Sequence, residues 1–251
     1  MTGRVLIALM TLVLCTPAFA DRAPECRLGL KEVERDFPLP HVAKAIAAKK
    51  LDILVVGAGS SLLPGSSGAK NAYPARLQVA LAAKLPGVAV NVSTDVQARR
   101  TAGEMVKSLD SALSAAHPTL MVWQTGTVDA MQSVDTDQFR VALERGIGIA
   151  RSAGADVVLI NAQYSPRTES MIALGLYAES MRWVALQQEV PLFDRFSIMK
   201  LWADLGTFDL YSATKKLDMA EHVHDCIGQL LADLVIESAK PDEPHAESGR
   251  N

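Results

Sequence analysis

The sequence predicts an α/β domain, a three-layer α/β/α sandwich built around a mainly parallel five-stranded sheet. Two observations support this fold class. Short runs rich in Val, Ile and Leu alternate along the chain with longer segments of helical periodicity. Glycine follows the helical segments, as in Pro86-Gly87 and Ala153-Gly154, where a helix is expected to end. This alternation is typical of βαβ units, in which a helix connects each strand to a parallel neighbour.

The elements of the first half follow from these signals. Pro38-Leu39-Pro40 leads into a short predicted helix, His41–Lys50. The apolar run Asp52–Val56 is predicted to be the first strand, and the helix Tyr73–Lys84 follows it. The second strand is predicted over Val88–Val92.

The second half repeats this order. A helix is predicted over Thr101–Ala116 and a strand over Leu120–Gln124. The next helix, Thr136–Ala153, begins at an Asp-Thr-Asp sequence that is typical of an N-terminal cap. The strand Asp156–Asn161 and the helix Glu169–Gln188 complete the alternating pattern.

The chain closes with a short strand and two helices. The strand is predicted over Leu192–Phe193, and the helices lie near Ser197–Leu205 and over Ala220–Ser238. Residues 51–238 therefore form one predicted domain, without an internal repeat or a linker. The tail, residues 239–251, is charged and poor in apolar residues, which predicts disorder.

The first 20 residues have the features of a secretory signal. Arg4 supplies the positive start, Val5–Leu14 the apolar run, and Ala18-Phe19-Ala20 a small-x-small cleavage site. The apolar run is too short to span a bilayer. A lipoprotein signal ending at Cys15 is the weaker alternative, because bulky Leu14 stands where a small residue is needed. We expect a periplasmic or secreted protein, with residues 21–50 forming an N-terminal arm and a short helix.

Charge and cysteine content limit the possible partners and the compartment. The formal charge of −3 becomes −4 once Arg4 leaves with the signal, which argues against a nucleic-acid partner. No later apolar run is long enough to cross a membrane. Cys26 and Cys226 remain after cleavage, and an even pair in an oxidising compartment favours a disulfide. Two unpaired thiols are the alternative.

The glycine- and serine-rich turn at 57–65 follows the first strand, at the sheet edge where ligands bind in such folds. A dinucleotide fingerprint would need a third glycine where Leu62 stands, and the Gly-Lys-Ser/Thr of a phosphate loop is missing. The sequence therefore predicts no nucleotide cofactor. Its serines fit either a nucleophile at a strand-to-helix turn or simple helix caps.

Four blocks resemble the SGNH, or GDSL-like, hydrolase superfamily, specifically its exported proteobacterial esterase-like members. They are Gly59-Ser60-Ser61-Leu62, Tyr73-Pro74-Ala75-Arg76-Leu77, Val122-Trp123-Gln124-Thr125-Gly126-Thr127 and Asn161-Ala162-Gln163-Tyr164-Ser165-Pro166. The resemblance runs from about Leu51 to Val235. It implies a flavodoxin-like sandwich and a serine ester hydrolase, with Ser61 at the nucleophile position and Ser60 in place of the family aspartate.

The resemblance also implies an oxyanion hole, which this sequence keeps only in part. Its donors would come from Ser61, from a glycine at position 96, from Gly126 and from an asparagine at position 128. Val96 and Val128 occupy two of those positions. A valine side chain donates no hydrogen bond, and a β-branched residue does not adopt a conformation that only glycine allows.

The family's Asp-x-x-His pair, which supplies the base and its orienter, is replaced as well. By ungapped spacing, Lys215 stands at the aspartate position and Asp218 at the histidine position. Loss of triad members typically lowers turnover by ~10⁴–10⁶. His222 with Asp218 or Asp209, or Lys215 itself, could supply a relocated base; alternatively, the histidines are surface or capping residues.

These departures leave two hypotheses. The first is a catalytically impaired protein that binds an acylated small molecule, a glycan or a protein partner. The second is an active serine esterase in which Ser61 works with a relocated base. The small acidic cluster of Asp129, Asp135 and Asp137 has no histidine or cysteine at ligand spacing, so no metal site is predicted.

Overall fold

A computed structural model describes Cys26, residues 37–211 and residues 217–240. Residues 1–25, 27–36, 212–216 and 241–251 lie outside the described part of the chain. The predicted signal peptide, Lys215 and most of the predicted tail therefore fall outside it.

The sheet has five strands, all parallel, in the order β2-β1-β3-β4-β5. The strands are β1 (Lys50–Gly57), β2 (Ala89–Val96), β3 (Leu120–Gln124), β4 (Asp156–Ile160) and β5 (Leu192–Phe193). This confirms the predicted α/β fold class and its parallel sheet. The strand order reverses direction after β2, so the carboxyl ends of β1 and β3 lie side by side at one edge.

Helices cover both faces of the sheet. They are α1 (Pro40–Ala47), α2 (Gly68–Asn71), α3 (Tyr73–Lys84), α4 (Ala102–Ala116), α5 (Thr127–Met131), α6 (Thr136–Ser152), α7 (Pro166–Glu169), α8 (Leu174–Gln187), α9 (Arg195–Asp204) and α10 (Asp218–Ser238). Helices α3 and α10 pack against each other in one layer, and α4, α6 and α8 pack in the other. None of the helices in the described part of the chain is both long and apolar enough to cross a membrane.

Three predicted elements differ clearly from the structure, and the short helices α2 and α5 were not predicted. Strand β2 runs on to Val96 because it pairs with the whole of β1, although its outer residues are polar and exposed. Helix α1 ends at Ala47, since Lys49 adopts a positive φ of 62° just before β1 begins. The single helix predicted over 169–188 is two helices, because Pro166 starts α7 early and the chain turns before α8.

Two contacts fix the layers. Trp123 on β3 is fully buried and packs against Gly146 of α6 so closely that a Cβ there would lie 2.3 Å from the indole. On the other side of the sheet, a disulfide joins Cys26 to Cys226 of α10. The disulfide favoured by the sequence is therefore present, and it ties the N-terminal arm to the last helix.

Candidate functional site

The turn after β1 forms a single 3-10 turn, Gly59–Ser61, at the carboxyl edge of the sheet. The Ser61 N–H donates to the Ala58 carbonyl at 2.9 Å, which closes the turn. The Ser61 side chain folds back over the end of β1, where a Cβ on Gly57 would lie 2.2 Å from the Ser61 Oγ. Ser61 is consequently fully buried.

The Ser61 hydroxyl belongs to a buried polar network. Its Oγ donates to the Gln124 Oε1 at 2.8 Å and accepts a hydrogen bond of 3.2 Å from the Tyr73 hydroxyl. The Gln124 Nε2 donates in turn to the Ser60 Oγ. The neighbours of the predicted nucleophile are thus an amide and a phenol, neither of which is a base of the kind that activates serine.

Arg195 supplies the positive charge of this network. Its Nη1 donates to the Ser60 carbonyl and to the Gln124 Oε1, both at 3.0 Å, and its Nη2 donates to the Gln163 Oε1 at 3.2 Å. The guanidinium also lies 5.8 Å from the centre of the Tyr73 ring. Burial lowers the pKa of Arg195 to about 10, so the side chain stays protonated at neutral pH.

The start of α9 holds Arg195 in place. Asn161, just after β4, accepts a hydrogen bond from the Phe196 N–H at 2.8 Å and donates to the Asp194 carboxylate at 2.6 Å. Asp194 caps the helix through the Ser197 N–H at 3.0 Å and pairs with Arg182 at 2.7 Å. The carboxylate next to Arg195 in sequence therefore interacts with Arg182 and the helix terminus.

A cavity of about 290 Å³ opens beside this network. Its polar lining comes from Ser60, Gln163, Ser165, Arg195, Asp209 and His224. The other side chains that line it are mainly apolar: Leu62, Leu63, Tyr164, Met199, Leu210, Met219, Ala220 and Val223. Ser61 is not part of the lining, because its hydroxyl points into the core.

The structure places the predicted base residues differently from the sequence-based hypothesis. His222 is exposed and does not line the cavity, whereas His224 is buried and does. Residues two apart on a helix do not share a face, so α10 can present only one of the two histidines to the cavity. Of the two alternatives for His222, a relocated base or a surface residue, its exposed position fits the surface residue. Asp218, at the family histidine position, is exposed at the first residue of α10.

His224 is held in one protonation state. Its Nδ1 accepts a hydrogen bond from the Tyr73 backbone N–H at 2.9 Å, which leaves Nε2 to carry the proton. Burial, and to a smaller degree the positive charge of Arg195, lowers the pKa of His224 to about 3. The ring is therefore neutral at pH 7 and acts as a hydrogen-bond donor through Nε2.

The predicted oxyanion donors are engaged or apolar. Gly126 has a φ of 100°, and its N–H donates to the Asp129 carboxylate at 3.2 Å. The Val128 side chain packs against the hydrophobic core. Val96 ends β2 beside Gly57 in extended conformation, and the positive φ in this segment falls instead at Arg99, at 65°.

Asp129 braces the loop that carries these residues. Its carboxylate accepts hydrogen bonds from the Ala102 N–H at 2.9 Å and the Thr125 hydroxyl at 3.1 Å, besides that of Gly126. Burial raises the pKa of this carboxyl group, and the hydrogen bonds oppose that rise. Asp135 caps α6 through two backbone N–H groups. Within the described residues, no group of three or more acidic, histidine or cysteine side chains could hold a metal ion.

Three residues of this site, Arg195, Gln124 and His224, have no role in the sequence-based prediction. A partial signal existed, since Gln124 and Asp194-Arg195 stand at the carboxyl ends of β3 and β5, where ligand-binding residues collect. His224 carries no such signal, because only the packing of α10 against α3 brings it to the Tyr73 N–H.

Comparisons with known proteins agree with this architecture. The model of the non-GDSL lipase-like family matches residues 25–241. No curated protein matches the sequence significantly.

Several solved structures resemble the fold. TesA superposes with a TM-score of 0.57 and 22% identity, over 72% of this chain and 98% of its own. A two-domain esterase active on acetylated mannans gives a TM-score of 0.65 and 14% identity, over 84% of this chain and 56% of its own. A catalytic mutant of Axe2, an acetylxylan esterase from Geobacillus stearothermophilus, superposes with a TM-score of 0.57 and 16% identity. The match covers 75% of this chain and 94% of the Axe2 chain. At such identities the likeness establishes the fold alone.

Proposed function

Because the chain belongs to the non-GDSL lipase-like family and has the fold of SGNH-type esterases, we propose that it is an exported member that binds a ligand and hydrolyses esters poorly or not at all. The observation that carries this proposal is the environment of Ser61. Its buried hydroxyl donates to the Gln124 amide, and no histidine or carboxylate among the described residues accepts its proton.

The chemistry around Ser61 explains why turnover would be low. An amide oxygen is too weak a base to take the serine proton, and burial raises the pKa of Tyr73 to about 12, so the phenol stays protonated. The Gly126 N–H donates to Asp129 rather than into the cavity, and Val128 offers no donor. Loss of one oxyanion donor alone typically costs ~10²–10³ in rate.

The ligand class follows from the fold and the cavity. The structural neighbours include esterases described as active on acetylated mannans or acetylxylan, which favours an acylated small molecule or a glycan here too. The cavity lining combines hydrogen-bonding side chains with apolar ones, as such a ligand requires. The alternative ligand within this proposal is a protein partner that inserts a side chain into the cavity.

Export to the periplasm or the medium is part of the proposal. The N-terminal 20 residues have the features of a cleavable signal. The disulfide between Cys26 and Cys226 fits an oxidising compartment, where such bonds persist.

An active serine esterase is the second candidate, and one observation favours it. Ser60 and His224 line the same cavity, so a hydroxyl and an imidazole face one volume. The hydrogen bond from the Tyr73 N–H opposes this candidate, because it fixes the proton on the Nε2 of His224 and leaves that nitrogen unable to act as a base. The original form of this hypothesis, with Ser61 and His222, lacks such support because His222 is exposed and does not line the cavity. Its other form, with Lys215, concerns a residue outside the described part of the chain.

Ester hydrolysis tests the two candidates directly. We would compare turnover of p-nitrophenyl acetate by the mature protein with that of Ser60→Ala, Ser61→Ala and the exposed control Ser114→Ala on α4. Background reaction at surface groups should be the same in all four proteins, and we expect equal rates. A loss of more than about tenfold in Ser60→Ala or Ser61→Ala alone would refute the proposal and assign the nucleophile.

A further inference from the structure

The cavity wall contains a buried cation with no anionic partner in the described part of the chain. The three acceptors of the Arg195 guanidinium are a carbonyl and two side-chain amides, all of them neutral. Its buried Nε has no hydrogen-bond partner among the described residues. Removing a charge from water without a counter-charge costs several kcal/mol, and neutral acceptors offset only part of this cost.

Two acidic residues that could serve as a counter-ion, Asp194 and Asp209, do not pair with it. Asp194 precedes Arg195 in sequence, but its carboxylate bonds Arg182, Asn161 and the Ser197 N–H. Asp209 lines the cavity, and its Oδ1 accepts a hydrogen bond of 3.2 Å from the Tyr211 N–H. The Arg195 charge is therefore available to a ligand.

A second donor lies on the same cavity. His224 lines it and carries its proton on Nε2, because Nδ1 accepts the hydrogen bond from the Tyr73 N–H. A charged donor and a neutral donor together match a group that only accepts hydrogen bonds and carries about one negative charge. A dianion would bring its second charge towards Asp209 with no second cation among the described lining residues.

Although Ser60, Gln163 and Ser165 add further polar groups, much of the remaining lining is apolar, with Leu62, Leu63, Met199, Leu210, Met219 and Val223. Such a wall suits a hydrocarbon body and gives nothing to a bare inorganic ion. From these contacts we infer that the cavity binds a small organic carboxylate with an apolar body, its carboxylate directed to Arg195 and His224. This inference rests on the proposed binding role and names the ligand class.

Binding of matched probes by the mature protein tests the inference. Calorimetric titration near pH 7 would compare hexanoate with hexanamide, which has the same hydrocarbon body and no charge, and with inorganic phosphate. Because hydrogen bonds to a charged group are stronger than those to a neutral one, we expect hexanoate to bind at least about tenfold more tightly than hexanamide. We expect phosphate to bind more weakly than hexanoate, since it has no apolar body.

Two variants assign the effect to the cavity. Arg195→Gln should remove the preference for hexanoate over hexanamide, with thermal unfolding used to verify that the variant folds. Arg145→Gln on α6 removes an exposed cation outside the lining and should leave the affinity for both probes unchanged. The hexanoate and hexanamide affinities of the wild type test the inference even if Arg195→Gln does not fold.

Several results would overturn the inference: equal affinity for hexanoate and hexanamide, phosphate bound as tightly as hexanoate, or no binding of hexanoate up to about 10 mM, a concentration that would detect even a weak site. The binding experiment and the hydrolysis assay can fail independently of each other. Serine-dependent turnover with hexanoate binding would refute only the loss of catalysis, and absent turnover without hexanoate binding would refute only the carboxylate ligand.

Discussion

Gln124 connects the polar groups of the site by hydrogen bonds. Its Oε1 accepts from both Ser61 and Arg195, while its Nε2 donates to the Ser60 hydroxyl. One amide therefore satisfies a donor from each of two elements and positions both serines of the turn. A carboxylate at this position would neutralise Arg195, so the neutral amide is what leaves the guanidinium charge uncompensated.

His224 predicts a pH dependence of stability. Its pKa falls from an ordinary value near 6.5 to about 3 in the folded protein, chiefly because the ring is buried. At a pH between about 3 and 6.5 the histidine is therefore protonated in the unfolded chain and neutral in the folded chain. The free energy of unfolding consequently falls as the pH drops below 6.5. Between pH 7 and pH 5 this group alone should cost about 2 kcal/mol of unfolding free energy.

Urea denaturation at several pH values measures this effect. His224→Asn keeps an acceptor near the Nδ1 position and should flatten the curve by that amount. The control variant His222→Gln replaces an exposed histidine two residues earlier. It should show the same dependence of unfolding free energy on pH as the wild type. An unchanged slope in His224→Asn would contradict the assigned buried, neutral histidine.

At the scale of elements, α6 offers a matched pair of glycines. Gly146 faces Trp123, where an added Cβ would lie 2.3 Å from the indole, whereas nothing lies within 4 Å of a Cβ on Gly148. Gly146→Ala should lower the unfolding free energy by roughly 1–3 kcal/mol, because the helix must move away from β3. Gly148→Ala should raise it by about 0.5–1 kcal/mol, because alanine favours the helix.

Thermal or urea unfolding of the two variants would distinguish these effects. The two substitutions are chemically identical and lie on one helix, so their helix propensities cancel in the comparison. Equal stability of Gly146→Ala and Gly148→Ala would contradict the close packing of α6 on Trp123.

The elements also show what the sequence could and could not predict. The buried strands β1, β3 and β4 were predictable within about a residue or two, because each is an uninterrupted apolar run between turn signals. Strand β2 was cut short at Val92, since an edge strand carries polar residues such as Ser93, Thr94 and Asp95 and loses the apolar pattern. Its true length comes from pairing with β1, which a local pattern does not contain.

The site was less predictable than the fold, because it too depends on contacts between elements that are far apart in sequence. The turn carrying Ser61 was found from its glycines and its place after a strand, but the direction of the hydroxyl depends on Gln124 and Tyr73 from other elements. Arg195 and His224 meet the turn only through the packing of α9 and α10. Local spacing could therefore locate the site and could not supply its chemistry.

For the molecule as a whole, the disulfide is the contact that spans most of the chain. Cys26 and Cys226 are 200 residues apart, so the bond closes a loop containing the entire sheet. In the chain-entropy model a loop of this length contributes about 5 kcal/mol by restricting the unfolded state. Replacing both cysteines, as Cys26→Ser with Cys226→Ser, should lower the unfolding free energy by roughly 2–5 kcal/mol.

Urea titration of the oxidised wild type and the double variant would measure this loss. The oxidised wild type treated with reductant should approach the double variant, while reductant should leave the double variant unchanged. Equal stability of the oxidised wild type and the double variant would mean that the bond contributes nothing in solution.

The same bond has a mechanical consequence. If the two ends of the chain were pulled apart, tension would pass from Cys26 to Cys226 through the sulfur atoms and bypass the strands between them. Only the segments outside the bridge, which include the part of α10 after Cys226, would carry the tension and extend. Cutting the bridge would transfer the tension to the sheet, so a reducing environment would make this protein not only less stable but mechanically soft.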